Sequence, residues 1–317
     1  MHHPAEPSAS SVPAAARSGR FRPWRAAAML LVLGLLTACG VRLDLPPPPA
    51  PTPEGQDAVR QEAAVAVQTL TGPARSAAES ASEEVATVLN AVAGDAEVHL
   101  EALGGVWQPP PRPEDDDEDL GEETAAAASA DAGSAEPADV VHLLEDTAAG
   151  FRSDLGQIDG ELATLLTSIA ANQVLHARQL RNALDMGPAD PPTLPEDPFP
   201  AEFGVEAAEL SRLLDASGYV AEVRAARSSG EERDRLIDHA EQMRAQADLV
   251  ARRGGFAATS EDPREPVYEL QLEDLSAQTE DLARARVSAW LHLVGPVAPE
   301  DRDLVAAQVL STALTVH

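Results

Sequence analysis

Leu236, Ala240, Met243, Ala247 and Val250 follow one another at spacings of 4, 3, 4 and 3. That period places all five on one stripe of an α-helix and leaves the charged residues between them on the other face. The same pattern recurs along most of the chain, and no window alternates with the period of two that a strand requires. Aromatic residues make up only 3% of the sequence. A core must therefore be built from Ala, Leu and Val, whose small volumes favour closely packed helices. The expected fold class is all-α.

The helical windows fall into two groups. In the first, Val59, Ala63, Val67 and Leu70 form a stripe that Gly72-Pro73 is expected to break. Ala81, Val85, Val88 and Val92 form the next, continued by Val98, Leu100 and Leu103 up to Gly104-Gly105. Val141, Leu144, Ala148, Phe151 and Leu155 share a face. Ile158, Leu162, Leu165, Ile169, His176, Leu180 and Leu184 follow, ending at Gly187-Pro188. In the second group, Leu210, Leu213, Leu214, Val220 and Val223 precede a turn at Ser228-Ser229-Gly230. The 236–250 stripe comes next and closes at Gly254-Gly255. Leu272, Leu275, Leu282, Ala289 and Leu293 are assigned to a third helix, stopped by Gly295-Pro296. Pro299-Glu300-Asp301 opens a fourth, with acids at the positive end of the helix dipole.

Between these windows the material changes. Residues 44–53 are Pro-rich and read as an extended polyproline spacer. The stretch 107–137 contains Glu114-Asp115-Asp116-Asp117-Glu118-Asp119, where like charges and scarce apolar surface predict disorder. An EF-hand loop starting at Asp115 would need Gly and Glu where Leu120 and Ala126 stand, so calcium capture is not expected. The resulting organisation is residues 54–186 as an N-terminal helical bundle interrupted by an acidic linker, 187–204 as a second linker, and 205–317 as a C-terminal bundle.

The N-terminus carries a different signal. Arg17, Arg20, Arg22 and Arg25 precede an apolar run that ends in Leu36-Thr37-Ala38-Cys39-Gly40. A charged segment, a short hydrophobic segment and a small-residue cleavage site are the parts of a secretory signal. The run is shorter than the roughly 20 residues a spanning helix needs. Leu-Thr-Ala-Cys is similar to the lipobox of bacterial lipoproteins, and the chain's single cysteine stands at its lipidated position. The resemblance implies removal of residues 1–38, lipid on Cys39 and residues 39–53 as a tether. It places the protein on the extracytoplasmic face of the cell membrane, with membrane lipid as its one expected partner. No protein partner is identified by the sequence, and one cysteine cannot form an intramolecular disulfide.

Charge narrows the functions further. The net charge is −30, which repels nucleic acid and anionic headgroups, so nucleic-acid binding is not expected. All 23 basic residues are arginine, which excludes a Schiff-base or phosphate-loop lysine. No Gly-x-Ser-x-Gly, His-Glu-x-x-His or Gly-x-Gly-x-x-Gly motif occurs. An enzyme is not expected, and neither is a cofactor.

Three phrases in the C-terminal group carry a family resemblance. They are Ala221-Glu222-Val223-Arg224-Ala225-Ala226-Arg227, His239-Ala240-Glu241-Gln242-Met243-Arg244 and Pro266-Val267-Tyr268-Glu269-Leu270. Together with residues 99–107 and 168–173, they resemble actinobacterial lipoproteins that carry a ferritin-like domain of unknown function. The resemblance implies a ferritin-like four-helix bundle over 205–317 and implies no activity.

A ferritin-like fold invites a search for di-iron ligands, Glu on two helices and Glu-x-x-His on two others. In the C-terminal group Leu236 stands three residues before His239, where Glu is needed. In the N-terminal group His99, Glu145 and His176 are the nearest approach to a metal set, with Gln173 in place of the Glu and Asp95 one turn before His99. No metal site is expected, and His176 reads as a core histidine bonded to Gln173 or backbone. Tyr219, Glu222 and His239 are expected to form a structural polar cluster across a helical hairpin. The leading functional reading is a non-catalytic scaffold or binding protein at the envelope. A degenerate metal binder and a carrier with an apolar pocket are the alternatives.

Overall fold

In a computed structural model, residues 52–109, 135–189 and 191–316 are described. They form eight α-helices and no strand. The helices are α1 (Gln56–Ser80), α2 (Glu83–Ala102), α3 (Pro137–Gly150) and α4 (Gly160–Ala183) in the first half. The second half contains α5 (Ala208–Arg227), α6 (Gly230–Arg253), α7 (Leu275–Val294) and α8 (Arg302–Ala313). The chain is thus all-α, as its periodicity predicts. None of the described helices is long and apolar enough to cross a membrane. The lipobox with Cys39, the spacer over 44–51 and the acidic stretch over 110–134 lie outside the described residues.

The first half pairs α1 with α2 and α3 with α4, and α1 also packs on α3 and α2 on α4. Its core is the expected Ala, Leu and Val set: Ala64, Val67, Leu89, Leu144, Leu166 and Leu180 are all buried. Burying one such Leu contributes about 1.5–3 kcal/mol. In the second half α5 packs on α6 and α7, and α7 on α8. Helix α4 also meets α7 and α8, so one core runs through both halves.

The contact between halves is close. A Cβ placed on Gly160, the first residue of α4, would lie 2.7 Å from the carbonyl oxygen of Gly295, just past α7. Hydrogen at Gly160 lets the two backbones meet, and a Cβ on Gly295 would stand a tight 3.2 Å from the Gly160 oxygen. Arg302 is buried and donates to the carbonyls of Leu155 and Ile158. Arg152 grips Asp303 with two bonds of 2.9 and 3.0 Å. Residues 198–203 of the second linker are held too. Phe199 and Phe203 are buried against Trp290, with ring centroids 5.6 and 6.3 Å away. Arg253 donates to the carbonyls of Phe199 and Pro200, and Gln308 to that of Pro198.

Three local expectations are corrected. Gly72-Pro73 does not break α1, which continues to Ser80 with Pro73 inside. Proline there removes one backbone bond, at about 3 kcal/mol. Burial of Leu70, Ala74 and Ala77 on both sides of it outweighs that loss. The break falls at Ser82, which caps α2 by accepting from the Val85 amide. Val98 is 63% exposed and does not continue the α2 stripe, whose buried line is Val85, Leu89, Val92 and Ala96. Leu272 precedes α7 and is exposed, so that helix starts its apolar face at Leu275.

Candidate functional site

Two groups of inward polar side chains stand out, one in each half. In the first half α2 and α4 run side by side and bring Asp95 and His99 to Asn172 and His176. His176 is 8% exposed, and its Nε2 lies 2.7 Å from Oδ2 of Asp95. Asn172 donates to the same oxygen at 3.0 Å. Burial raises the Asp95 carboxyl, but the bonds from His176 and Asn172 outweigh it and hold the group below its ordinary value. Asp95 thus engages Nε2 of the His176 ring and not Nδ1. That Nδ1 and both amide atoms of the buried Gln173 have no protein partner. His99 is held below the usual imidazole value, first by burial and then by the charge of His176, against the pull of Asp95.

The carboxylate at His176 is therefore Asp95 and not Glu145. Glu145 accepts two bonds from Arg181, at 2.6 and 3.1 Å, in a pair that ties α3 to α4. His99, Glu145 and His176 do not converge on one point. Among the described residues no group of three His, Cys, Asp or Glu side chains is arranged to hold a metal ion. The expected bond from His176 to Gln173 is also absent: Asp95 takes its place, because an anionic oxygen one helix away is the stronger acceptor.

In the second half the polar groups divide. Glu222 accepts two bonds from Arg244, at 2.7 and 2.8 Å, across the α5–α6 hairpin. The third nitrogen of Arg244 reaches Asp215, which is 7% exposed. Asp215 also accepts from the Tyr268 hydroxyl at 2.9 Å, and that hydroxyl accepts from the Glu265 amide. Tyr219 packs on Tyr268, with ring centroids 5.8 Å apart. This network pins the loop between α6 and α7 to α5. Burial, reinforced by the bond to Asp215 and opposed by the Glu265 amide, pushes the Tyr268 hydroxyl up to about 12.

His239 does not belong to that network. It lines a separate cavity between α5, α6 and α7, together with Ser217, Arg224, Thr279 and Arg286. The expected cluster of Tyr219, Glu222 and His239 thus splits in two, because Arg244 draws Glu222 away along the hairpin. Asp215, Arg244 and Arg286 were not singled out by the sequence, although Arg286 does leave a signal there. It follows Leu282 by four residues and precedes Ala289 by three, so an arginine occupies a place in the apolar stripe. Neither group places a nucleophile against a base and a set of oxyanion donors, the arrangement acyl transfer needs. The first group joins α2 to α4, and the second joins α5 to its neighbour α6 and to the loop that follows. No family model, curated protein or solved structure matches this chain.

Proposed function

We propose that the protein is a lipid-anchored, extracytoplasmic helical scaffold that acts at the cell envelope by binding and not by catalysis. In this reading Cys39 carries the lipid and the Pro-rich segment after it lifts the helices from the bilayer. The C-terminal half is taken as a ferritin-type bundle without a metal centre. The observation that carries the scaffold reading is the pairing of charges from one helix to another. Asp95–His176, Glu145–Arg181 and Arg244 with Asp215 and Glu222 each join two helices. Such ties hold helix register and leave the outer carboxylates in solvent. Two acyl chains or more give stable anchoring, at about 0.8 kcal/mol per buried methylene.

Cell fractionation tests the anchoring. The wild-type chain should sediment with membranes and enter the detergent phase, and Cys39→Ala should be released. A wild-type chain that stays in the soluble fraction would overturn the reading, as would a Cys39→Ala variant that remains membrane-bound.

A further inference from the structure

The cavity that His239 lines has a composition unlike the rest of the molecule. The chain holds 53 acidic and 23 basic residues, so a typical arginine should find a carboxylate. Arg286, Arg224 and His239 meet at this cavity from α7, α5 and α6, and none of them pairs with a carboxylate among the described residues. Arg286 is 7% exposed. Its Nη1 meets only the thioether of Met243, and its buried Nε has no partner. The other buried arginine among the described residues, Arg302, also leaves its Nε without a partner, but its Nη1 donates to two carbonyl oxygens, where that of Arg286 meets only sulfur. Arg224 donates to Thr279 Oγ1 at 3.2 Å, and that hydroxyl donates in turn to the Leu275 carbonyl. Ser217 likewise donates to the Leu213 carbonyl. Both hydroxyl protons are committed to the backbone, which leaves N–H groups as the donors facing the cavity.

A buried guanidinium demands an anion or a set of oxygen acceptors. Here the protein supplies neither. Burial brings Arg286 down to about 10, so it remains charged at neutral pH. Burial and the charges of Arg286 and Arg224 hold His239 below its ordinary value, which marks a local positive field inside a polyanion. The cavity measures about 290 Å³ with its mouth included, and its interior admits one particle of roughly water size. Val220, Ala221, Leu236 and Leu282 form the remaining wall. That wall favours an ion that sheds water readily and offers nothing to the extra oxygens of phosphate or sulfate.

We propose that this cavity binds one small monovalent inorganic anion of the size of chloride, held by Arg286 and completed by Arg224 and His239. The anion would neutralise the buried charge and join α5, α6 and α7 through a single centre. Binding should strengthen as pH falls, because a bound anion favours protonation of His239 against Arg224 on α5 and Arg286 on α7.

The test uses the full chain in chloride-free buffer. Thermal unfolding is followed while sodium chloride or bromide replaces sodium gluconate at constant ionic strength. A site that binds only the folded state raises the midpoint along a saturating curve. The proposal expects that curve for chloride and bromide and not for sulfate. Arg286→Met should abolish it. Arg224→Gln, a half-buried change that keeps a hydrogen-bond donor, should weaken the apparent affinity at least tenfold, and it serves if Arg286→Met does not fold. Crystals soaked in bromide should show an anomalous peak among the three side chains. A response that is linear, equal for sulfate or unchanged in Arg224→Gln would overturn the proposal, as would crystals with no bromide in the cavity.

Discussion

Replacing Gly160 by alanine tests whether the two halves meet as closely as described. The new Cβ would lie 2.7 Å from the Gly295 oxygen and 2.9 Å from its Cα, both backbone atoms that no side-chain rotation can move. Ordinary contact begins near 3.4 Å, so the start of α4 and the end of α7 must separate by several tenths of an ångström. A gap of about 0.5–1 Å forfeits a quarter to a half of the dispersion energy of the atoms along it. Overpacking of this kind costs about 1–3 kcal/mol. Against it stands the gain from a stiffer unfolded chain, about 0.4–1 kcal/mol, since Gly160 has no positive φ. The net expectation is a loss of about 1–2 kcal/mol. Gly94 provides the control, because it lies exposed within α2 with nothing within 4 Å of its added Cβ. Gly94→Ala should therefore stabilise by about 0.5–1 kcal/mol. Urea unfolding followed by circular dichroism reads both as midpoint shifts at constant slope. The sign should reverse between the two variants. A Gly160→Ala protein as stable as Gly94→Ala would refute the close approach of α4 and α7.

Three further outcomes follow from the geometry. Trp290→Ala empties the centre around which Phe199 and Phe203 pack and should cost about 3–5 kcal/mol, read by urea unfolding; a loss below about 1 kcal/mol would mean that Phe199 and Phe203 are not docked there. Tyr268→Phe leaves Asp215 one bond short and should lower stability by about 1–2 kcal/mol, with faster amide exchange confined to the loop between α6 and α7; unchanged exchange would count against the latch. Stability should fall as pH drops below about 6.5, because the unfolded chain binds more protons at His99 and His239, both depressed in the fold. Asp95 adds a further loss at lower pH as it is protonated through its depressed value. The His99→Gln, His239→Gln double variant should flatten the upper part of this curve, and an unaltered pH dependence would show that other groups control it.

The helices were legible because their stripes are long and their stops are chemical. Gly104-Gly105, Gly254-Gly255 and Gly295-Pro296 each follow the end of a helix where the sequence places it. Pro73 reads locally as a stop, but tertiary burial decides there: Leu70, Ala74 and Ala77 hold α1 together around it. The docking of Phe199 and Phe203 was not legible, since two phenylalanines in a Pro-rich stretch show their value only once Trp290 is placed. The polar groups were half legible. His176 and His99 stood out by position, but whether Asp95 or Glu145 faces His176 depends on the rotation of α2 and α3 against α4, which no spacing contains. Arg286 was present in the pattern as a charge within an apolar stripe.

Lipid anchoring is tested most directly by the intact mass of the protein isolated from the membranes of its own cells. The expected chain begins at Cys39 and carries diacylglycerol on the sulfur and acyl on the new amino terminus. A mass matching residues 1–317 with an unmodified Cys39 would contradict it.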